Sequence, residues 1–277
     1  MTRIALFQMQ SGIDPEANFD AISEAAKSAG EGGAAVLFTP EMALLLDRDR
    51  KRAAETIAGP GYSDYPQRLA DLAAGAGIDL AIGSMPVAHP SGKWLNRAHY
   101  FSAANKPEPV TYDKLHLFDV ELASGESWRE SNAYEPGSHV ACVEDTPVGR
   151  LGLTICYDIR FPALFEALGR RRCDCIAIPA AFTVPTGKAH WHVLQRARAI
   201  EASAFVVAAA QVGEHADGRT TYGHSLVIDP WGEILLDMED EGPDIGYCDL
   251  DLSRIEDVRA QVPSLANRRE MPKLREP

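Results

Sequence analysis

The sequence predicts an α/β fold in which helices cover the faces of β-sheet. Strand and helix signals alternate along all 277 residues. The order strand, helix, strand stopped by proline also occurs twice, at residues 3–40 and 150–179. A hydrophobic content of 45% is enough for a sizeable core, and no low-complexity linker or shift of composition divides the chain. One domain is therefore expected over residues 1–277. Two packed sheets suit the many short strands and the doubled pattern, but one continuous sheet suits them as well.

The first half opens on an apolar strand at residues 4–9. Residues 18–30 follow as an amphipathic helix, with Phe19, Ile22, Ala25 and Ala26 on its face and Gly30 to end it. A short strand at 34–39 stops at Pro40. A helix is expected at 65–76, ending near Gly77, then a strand at 79–83 and a strand pair at 97–102 and 109–113 around a turn. The second half restarts with a strand at 150–156, a helix at 162–170 with Pro162 in its first turn, and a strand at 175–179 stopped by Pro179. A long helix at 188–204 is expected to bury Trp191, Leu194, Ala197 and Ile200. Strands follow at 205–210, 224–228, 233–236 and 246–251. The stretch from about 263 to 277 is polar, basic and proline-marked, and should extend over a surface.

A net charge of -13 argues against nucleic acid and anionic membranes as partners, while leaving room for a local basic cluster that binds a small anion. No apolar run approaches the roughly 18 residues of a membrane span, and residues 3–8 lack the form of a signal peptide. Five scattered cysteines, an odd number, fit free thiols in a reducing, cytoplasmic setting. Cys173 and Cys175 have no second ligand pair at zinc spacing and read as buried packing residues. His190 and His192, two apart on a helix, point to different faces, unlike a metal-binding i, i+4 pair. Gly30, Gly32 and Gly33 form a turn and not a phosphate cradle. No metal or cofactor is expected.

Three segments run from an apolar strand into a reactive side chain: Val36 to Glu41, Val110 to Lys114, and Leu153 to Asp158 through Cys156. Sites in α/β folds gather outside the carboxyl ends of strands, so Glu41, Lys114 and Cys156 can converge. The chemistry suits such a meeting. A thiol needs a base to become a strong nucleophile, and Glu41 serves if burial raises its pKa toward neutrality. A fixed ammonium, Lys114, favours the thiolate and would hold an oxyanion; preorganised donors of this kind are worth about 3–4 kcal/mol each. Singly, each has a plainer reading: a packed thiol, a helix-start carboxylate, a solvated lysine. A Cys156–His dyad is the alternative catalytic arrangement, with no spacing to support it.

The strings Thr39-Pro40-Glu41-Met42, Tyr112-Asp113-Lys114-Leu115-His116-Leu117-Phe118-Asp119 and Ile155-Cys156-Tyr157-Asp158-Ile159-Arg160-Phe161-Pro162 resemble the three signature segments of the nitrilase superfamily of carbon–nitrogen hydrolases. The similarity continues through Pro179-Ala180-Ala181-Phe182, residues 186–191 and 196–201, and Tyr222-Gly223-His224-Ser225 to Asp229-Pro230-Trp231-Gly232, and so covers nearly the whole chain. The resemblance implies a four-layer α-β-β-α sandwich of two similar halves and a Glu41–Lys114–Cys156 triad. It also implies an oxyanion site completed by the Tyr157 backbone N–H, and subunits paired through helices near the site. A further glutamate that positions substrate and base falls on Glu130, within Arg129-Glu130-Ser131-Asn132; Glu126 is the nearby competitor.

Within the superfamily, residues 156–162 are similar to the ω-amidase-like branch, while Arg129-Glu130-Ser131-Asn132 and Ala208-Ala209-Ala210-Gln211 look most like deaminated glutathione amidases. The expected reaction is hydrolysis of a small carboxylate-bearing amide to acid and ammonia through a cysteine thioester. Arg160 is the first candidate to anchor the carboxylate, against an internal ion pair; Phe182 and Thr183 are candidates for the pocket wall, against core packing for Phe182. An N-carbamoyl amino acid amidohydrolase or a nitrilase is the alternative, as is a catalytically inactive binding protein on the same fold.

Overall fold

The computed structural model describes residues 1–104, 108–121 and 127–270. Among these, the first half contains β1 (Thr2–Gln8), α1 (Pro15–Glu31), β2 (Val36–Phe38), α2 (Arg50–Ala58), α3 (Tyr65–Ala76), β3 (Asp79–Ala88), β4 (Trp94–Phe101) and β5 (Val110–Asp113). A small hairpin, β6 (Asp119–Glu121) and β7 (Ser127–Arg129), leads out of it. The second half contains β8 (Ala141–Thr146), β9 (Gly149–Leu153), a 3-10 turn (Cys156–Arg160), α4 (Pro162–Arg170), β10 (Cys175–Ala177), α5 (Val184–Ala202) and β11 (Phe205–Ala208). Then come the hairpin β12 (Val212–Glu214) and β13 (Thr220–Tyr222), followed by β14 (Leu226–Ile228), β15 (Ile234–Asp237), β16 (Asp244–Leu250) and α6 (Ser253–Gln261).

The strands form two six-stranded sheets, ordered β16-β1-β2-β3-β4-β5 and β15-β14-β11-β10-β9-β8. Written from the other edge, the second has the pairing pattern of the first. In each, a central parallel trio (β1, β2, β3; β9, β10, β11) is flanked by one antiparallel strand on one side and two on the other. The doubled strand–helix–strand pattern is thus a structural repeat, β1-α1-β2 and β9-α4-β10.

Alternate residues of the central strands serve different layers. Ile4, Leu6, Val36 and Phe38 enter one core cluster with Leu151, Leu153, Ile176 and Val206 of the other sheet. Ala5, Phe7 and Leu37 join a second cluster with Ile22 and Ala26 of α1 and Leu69 and Ala73 of α3. Phe165 and Leu168 of α4 and Trp191 and Ala199 of α5 cover the second sheet. The result is an α-β-β-α sandwich, and strands buried on both faces read as unbroken apolar runs. At the seam, a Cβ added to Gly83 of β3 would lie 2.2 Å from the Thr39 carbonyl oxygen and 2.5 Å from Pro179 Cβ. Only glycine lets the chain after β2 and the chain after β10 approach this closely.

Several elements differ from expectation. α2 and α6 each bury only two apolar side chains, Ala53 with Ile57 and Ile255 with Val258, too few to stand out in a polar sequence. On α5, the buried face is Trp191, Gln195, Arg198, Ala199 and Ala202, whereas Ile200 faces outward. The buried stripe carries Gln195 and Arg198, and Arg198 Nε donates to the Ile159 carbonyl at 2.7 Å, so hydrophobicity alone misplaces it. The 150–156 strand stops at Leu153 because Cys156 opens the 3-10 turn. The start of the expected extended tail is a short helix at Ser264–Asn267, with the Arg268 guanidinium donating to the Glu166 carbonyl at 3.1 Å. Glu126 and residues 271–277 lie outside the described residues. No helix among those described is long and apolar enough to cross a membrane.

Candidate active site

Three strand ends meet, as expected. Glu41 follows β2, Lys114 follows β5 and Cys156 follows β9, and all three side chains are buried. Lys114 Nζ donates to Glu41 Oε1 at 2.8 Å and to Glu130 Oε2 and Oε1 at 2.9 and 3.1 Å. Glu130 also accepts from the Phe118 N–H at 2.6 Å. The residue singled out within Arg-Glu-Ser-Asn therefore shares the ammonium with Glu41. The second Glu41 oxygen accepts from the Ala181 N–H at 3.1 Å, and Cys156 lines the same cavity as Glu41 and Lys114.

Cys156 has φ +47°, the left-handed region that a non-glycine residue enters at a cost and that recurs at functional sites. Two anchors hold it there. Its own N–H donates to the Pro179 carbonyl at 2.8 Å. Asp158, fully buried one turn on, accepts from the Ile155 N–H (2.9 Å), the Tyr112 hydroxyl (2.7 Å) and the His116 N–H and ring (3.0 and 2.7 Å). Asp158 thus ties the Cys156 turn to the segment carrying Lys114. With the Asp158 N–H bonded to the Ile155 carbonyl, the intervening Tyr157 N–H has no acceptor among the described residues. It is the kind of orphan donor that opens every helical turn.

Ionisation departs from expectation at Glu41. Burial alone would raise its pKa, but the Lys114 charge and the hydrogen bonds from Lys114, Cys156 and Asn96 outweigh burial and hold it below the usual carboxylate range. The carboxylate is thus a fixed anion and not one poised near neutrality. Burial would lower Lys114, yet the Glu130 and Glu41 charges raise it well above an ordinary lysine. Burial, then the Glu41 charge, pushes the Cys156 thiol well up; Lys114 favours the thiolate, as expected, but only partly offsets them. The resting pair is a thiol beside a carboxylate.

These groups line a cavity of about 750 Å³, whose walls include Glu130, Tyr157, Arg160, Phe182 and Thr183. Arg160 has no carboxylate partner among the described residues. Its guanidinium nitrogens lie 3.3 Å from His190 Nδ1 and its centre 5.5 Å from the Phe182 ring. Phe182 serves both of its candidate roles, lining the cavity while its far side packs on Trp191 at 4.8 Å.

Sequence reasoning missed Asn96, whose Nδ2 donates to Glu41 Oε1 at 2.9 Å and Glu130 Oε1 at 3.1 Å, bridging both carboxylates. Asn96 lies one residue before the strand expected at 97–102, and nothing in the sequence marked it. It also missed Gln211, whose Nε2 holds the Glu41 carbonyl at 2.9 Å. A further unforeseen group lies away from the cavity, where Asp237 bridges His192 Nε2 at 2.9 Å and His224 Nδ1 at 3.0 Å. These three side chains are close enough to hold a metal ion, and equally satisfy one another without one. The buried Cys173, with Sγ 3.4 Å from Cys142 Sγ, and the buried Cys175 are packing thiols.

The fold and the assembled strand ends define a carbon–nitrogen hydrolase. The profile of the carbon-nitrogen hydrolase family matches residues 3–260, and the chain belongs to that family. Among its relatives, a deaminated glutathione amidase of Yersinia enterocolitica is 37% identical over 96% of this chain and 92% of its own length. The deaminated glutathione amidase of Bos taurus is 38% identical over 96% and 81%. Of solved structures, the NitFhit protein of C. elegans superposes with TM-score 0.89 at 35% identity, covering 97% of this chain; this chain spans 65% of that longer one. Nit3 of Saccharomyces cerevisiae, a member of branch 10 of the nitrilase superfamily, gives TM-score 0.82 at 28% identity over 95% of this chain and 94% of that one. An amidase from Nesterenkonia sp. AN1, with acrylamide added at its active-site cysteine, gives 0.78 at 26% identity over 95% and 98%. The activity of this chain is accordingly that of an amidase.

Proposed function

We propose that the chain hydrolyses a carboxylate-bearing amide, deaminated glutathione or a close ω-amide, through a thioester on Cys156. The observation that carries this reading is the convergence of Cys156 in one cavity with a buried carboxylate, Glu41, that is itself locked by Lys114 Nζ at 2.8 Å. As the thiol sulfur bonds to the amide carbon, its proton passes to Glu41. The carbonyl oxygen gains negative charge beside Lys114 and the Tyr157 N–H. Glu41 then gives its proton to the departing nitrogen, the C–N bond breaks, and an acyl-thioester remains. Water, losing a proton to Glu41, attacks the thioester, and the thiolate leaves as the acid forms and recovers its proton.

Glu130 positions Lys114 and keeps its charge balanced through both carboxylate oxygens. The leaving nitrogen departs as ammonia from a primary amide. From deaminated glutathione, whose scissile nitrogen belongs to a cysteinylglycine unit, it departs as that amine. Arg160, free of acidic partners among the described residues, takes the carboxylate of the acyl portion, with Phe182 and Thr183 as walls.

Residues 1–277 act as one catalytic unit in this reading, in the cytoplasm and as a homodimer. Val193 and Ile200 of α5, 63% and 50% exposed, and Trp231, 45% exposed, supply an apolar face for a second copy, which sedimentation at twice the chain mass would establish. The reaction is tested by kcat/KM on deaminated glutathione, α-ketoglutaramate, N-carbamoyl amino acids and nitriles. The expected order places the first two far above the others. Preference for carbamoyl compounds or nitriles would move the chain to another branch, and silence throughout would leave a binding protein.

A further inference from the structure

The cavity holds more positive charge than one carboxylate requires. Its floor is anionic on balance: Glu41 and Glu130 face a single ammonium, Lys114. An anionic substrate is therefore repelled from the floor and must be held at the walls. Arg160 lies on one wall, in the same turn as Cys156. Arg48, Arg50, Arg129 and Arg219 line the cavity as well, in a chain of net charge -13.

Most of that second group is already engaged. Arg219 pairs with the buried Asp217 at 2.6 Å and lies over Trp128 at 5.1 Å. Arg129 pairs with Glu121, and Arg50 donates to the Arg129 carbonyl at 2.9 Å. Arg48 differs. Its backbone N–H is fixed by Asp217 Oδ2 at 2.9 Å, but its guanidinium makes neither an ion pair nor a hydrogen bond among the described residues, not even the carbonyl contact that Arg50 makes. That guanidinium rests against the β12–β13 turn at Gly218, where an added Cβ would lie 3.6 Å from Nη2. An uncommitted, exposed guanidinium therefore lines the cavity beside the glycine turn.

We infer that Arg48 binds a second carboxylate, carried by the leaving amine, so that the preferred substrate is an amide with a carboxylate on each side of the scissile bond. The inference rests on the proposed mechanism. The departing nitrogen must reach Glu41 to be protonated, and Arg48 lines the same cavity as Glu41, seven residues further along the chain. The cavity volume, about 750 Å³, sits in the upper part of the range of about 300–1,000 Å³ typical of pockets for drug-sized ligands, more than a simple ω-amide needs.

The test compares kcat/KM for deaminated glutathione, its analogue with the terminal glycine carboxylate converted to carboxamide, and α-ketoglutaramate. Wild type is expected to prefer the free acid over the carboxamide by about 10- to 100-fold, the range for a charge-assisted contact. Arg48→Ala should bring that ratio close to one, mainly through KM, and Arg48→Lys should restore part of it. A wild-type ratio near one, an unaltered ratio in Arg48→Ala, or equal losses on all three substrates would overturn the subsite while leaving the amidase reading in place. Inactivity of wild type on all three would overturn the amidase reading and the subsite with it.

Discussion

The two halves of the sandwich share one strand order but contribute opposite kinds of group to the site. From the first half and its outgoing hairpin come the ionic groups Glu41 after β2, Lys114 after β5 and Glu130 after β7, with Asn96 of β4 as the amide that bridges the two carboxylates. Around them the second sets the thiol proposed as nucleophile and uncharged backbone donors: Cys156 and the Tyr157 N–H after β9, and the Ala181 N–H after β10, with Arg160 as its charged group at the cavity wall. β2 and β10 occupy equivalent places, and both run into a proline. Beyond Pro40 the chain places a carboxylate; beyond Pro179 it places a backbone donor that the same carboxylate accepts at 3.1 Å. Repetition of the fold fixes where strand ends meet, and the chemistry depends on which side chain stands at each end.

This division of labour can be broken from either side. Removing the proposed nucleophile, Cys156→Ala, should lower kcat at least about 10,000-fold with the thermal transition intact, since a unit that acts together is lost when its nucleophile is lost. Replacing the carboxylate, Glu41→Gln, should cost about 100- to 10,000-fold, the span of general acid–base catalysis, and should fall on kcat more than on KM. Asn96→Ala leaves both carboxylates present but unbridged, and a loss of about 10-fold in kcat is expected, in line with one net hydrogen bond. Should Asn96→Ala equal Glu41→Gln in effect, the bridge would be part of the reacting unit and not a positioning contact. Gly83→Ala acts on the seam itself. A Cβ at 2.5 Å from Pro179 Cβ must push the halves apart, costing about 1–3 kcal/mol in chemical denaturation and lowering kcat with it.

The pH profile sharpens the same contrast. Burial opposes the charge on Glu41, but Lys114 and the hydrogen bonds from the thiol and Asn96 outweigh it, so Glu41 is ionised from below the ordinary carboxylate pKa of 4.5 upward. A base is active when deprotonated; kcat/KM should therefore hold as pH falls through 6 and 5 and drop only below about 4.5, in buffers where folding is verified. An acid limb centred near neutrality would instead match a carboxylate raised by burial.

Much of this was legible before the structure. Residues 65–76 were a helix because Tyr65, Leu69 and Ala73 recur at helical spacing and Gly77, at φ +68°, closes it. The strand ends bearing Glu41, Lys114 and Cys156 were legible because a proline or a change to polar residues stops each apolar run. Other features depend on tertiary context. α2 has its signal in a cap, with Asp49 Oδ1 accepting the Lys51 and Arg52 N–H groups, and not in a hydrophobic stripe. Asn96 gains its role from partners 55 and 34 residues away. The ionisation of Glu41 could not be read locally, because burial and Lys114 push it in opposite directions and only assembled distances decide between them. Arg48 looked like any surface arginine until the turn at Gly218 came against it.

The most direct test of the account is mass spectrometry of enzyme quenched within milliseconds of mixing with deaminated glutathione, with peptide mapping of the adduct. The account predicts a transient 2-oxoglutaryl thioester on Cys156, accumulating before steady state and absent from Cys156→Ala. Full turnover with no adduct on that residue, or an adduct mapped to another cysteine, would contradict it.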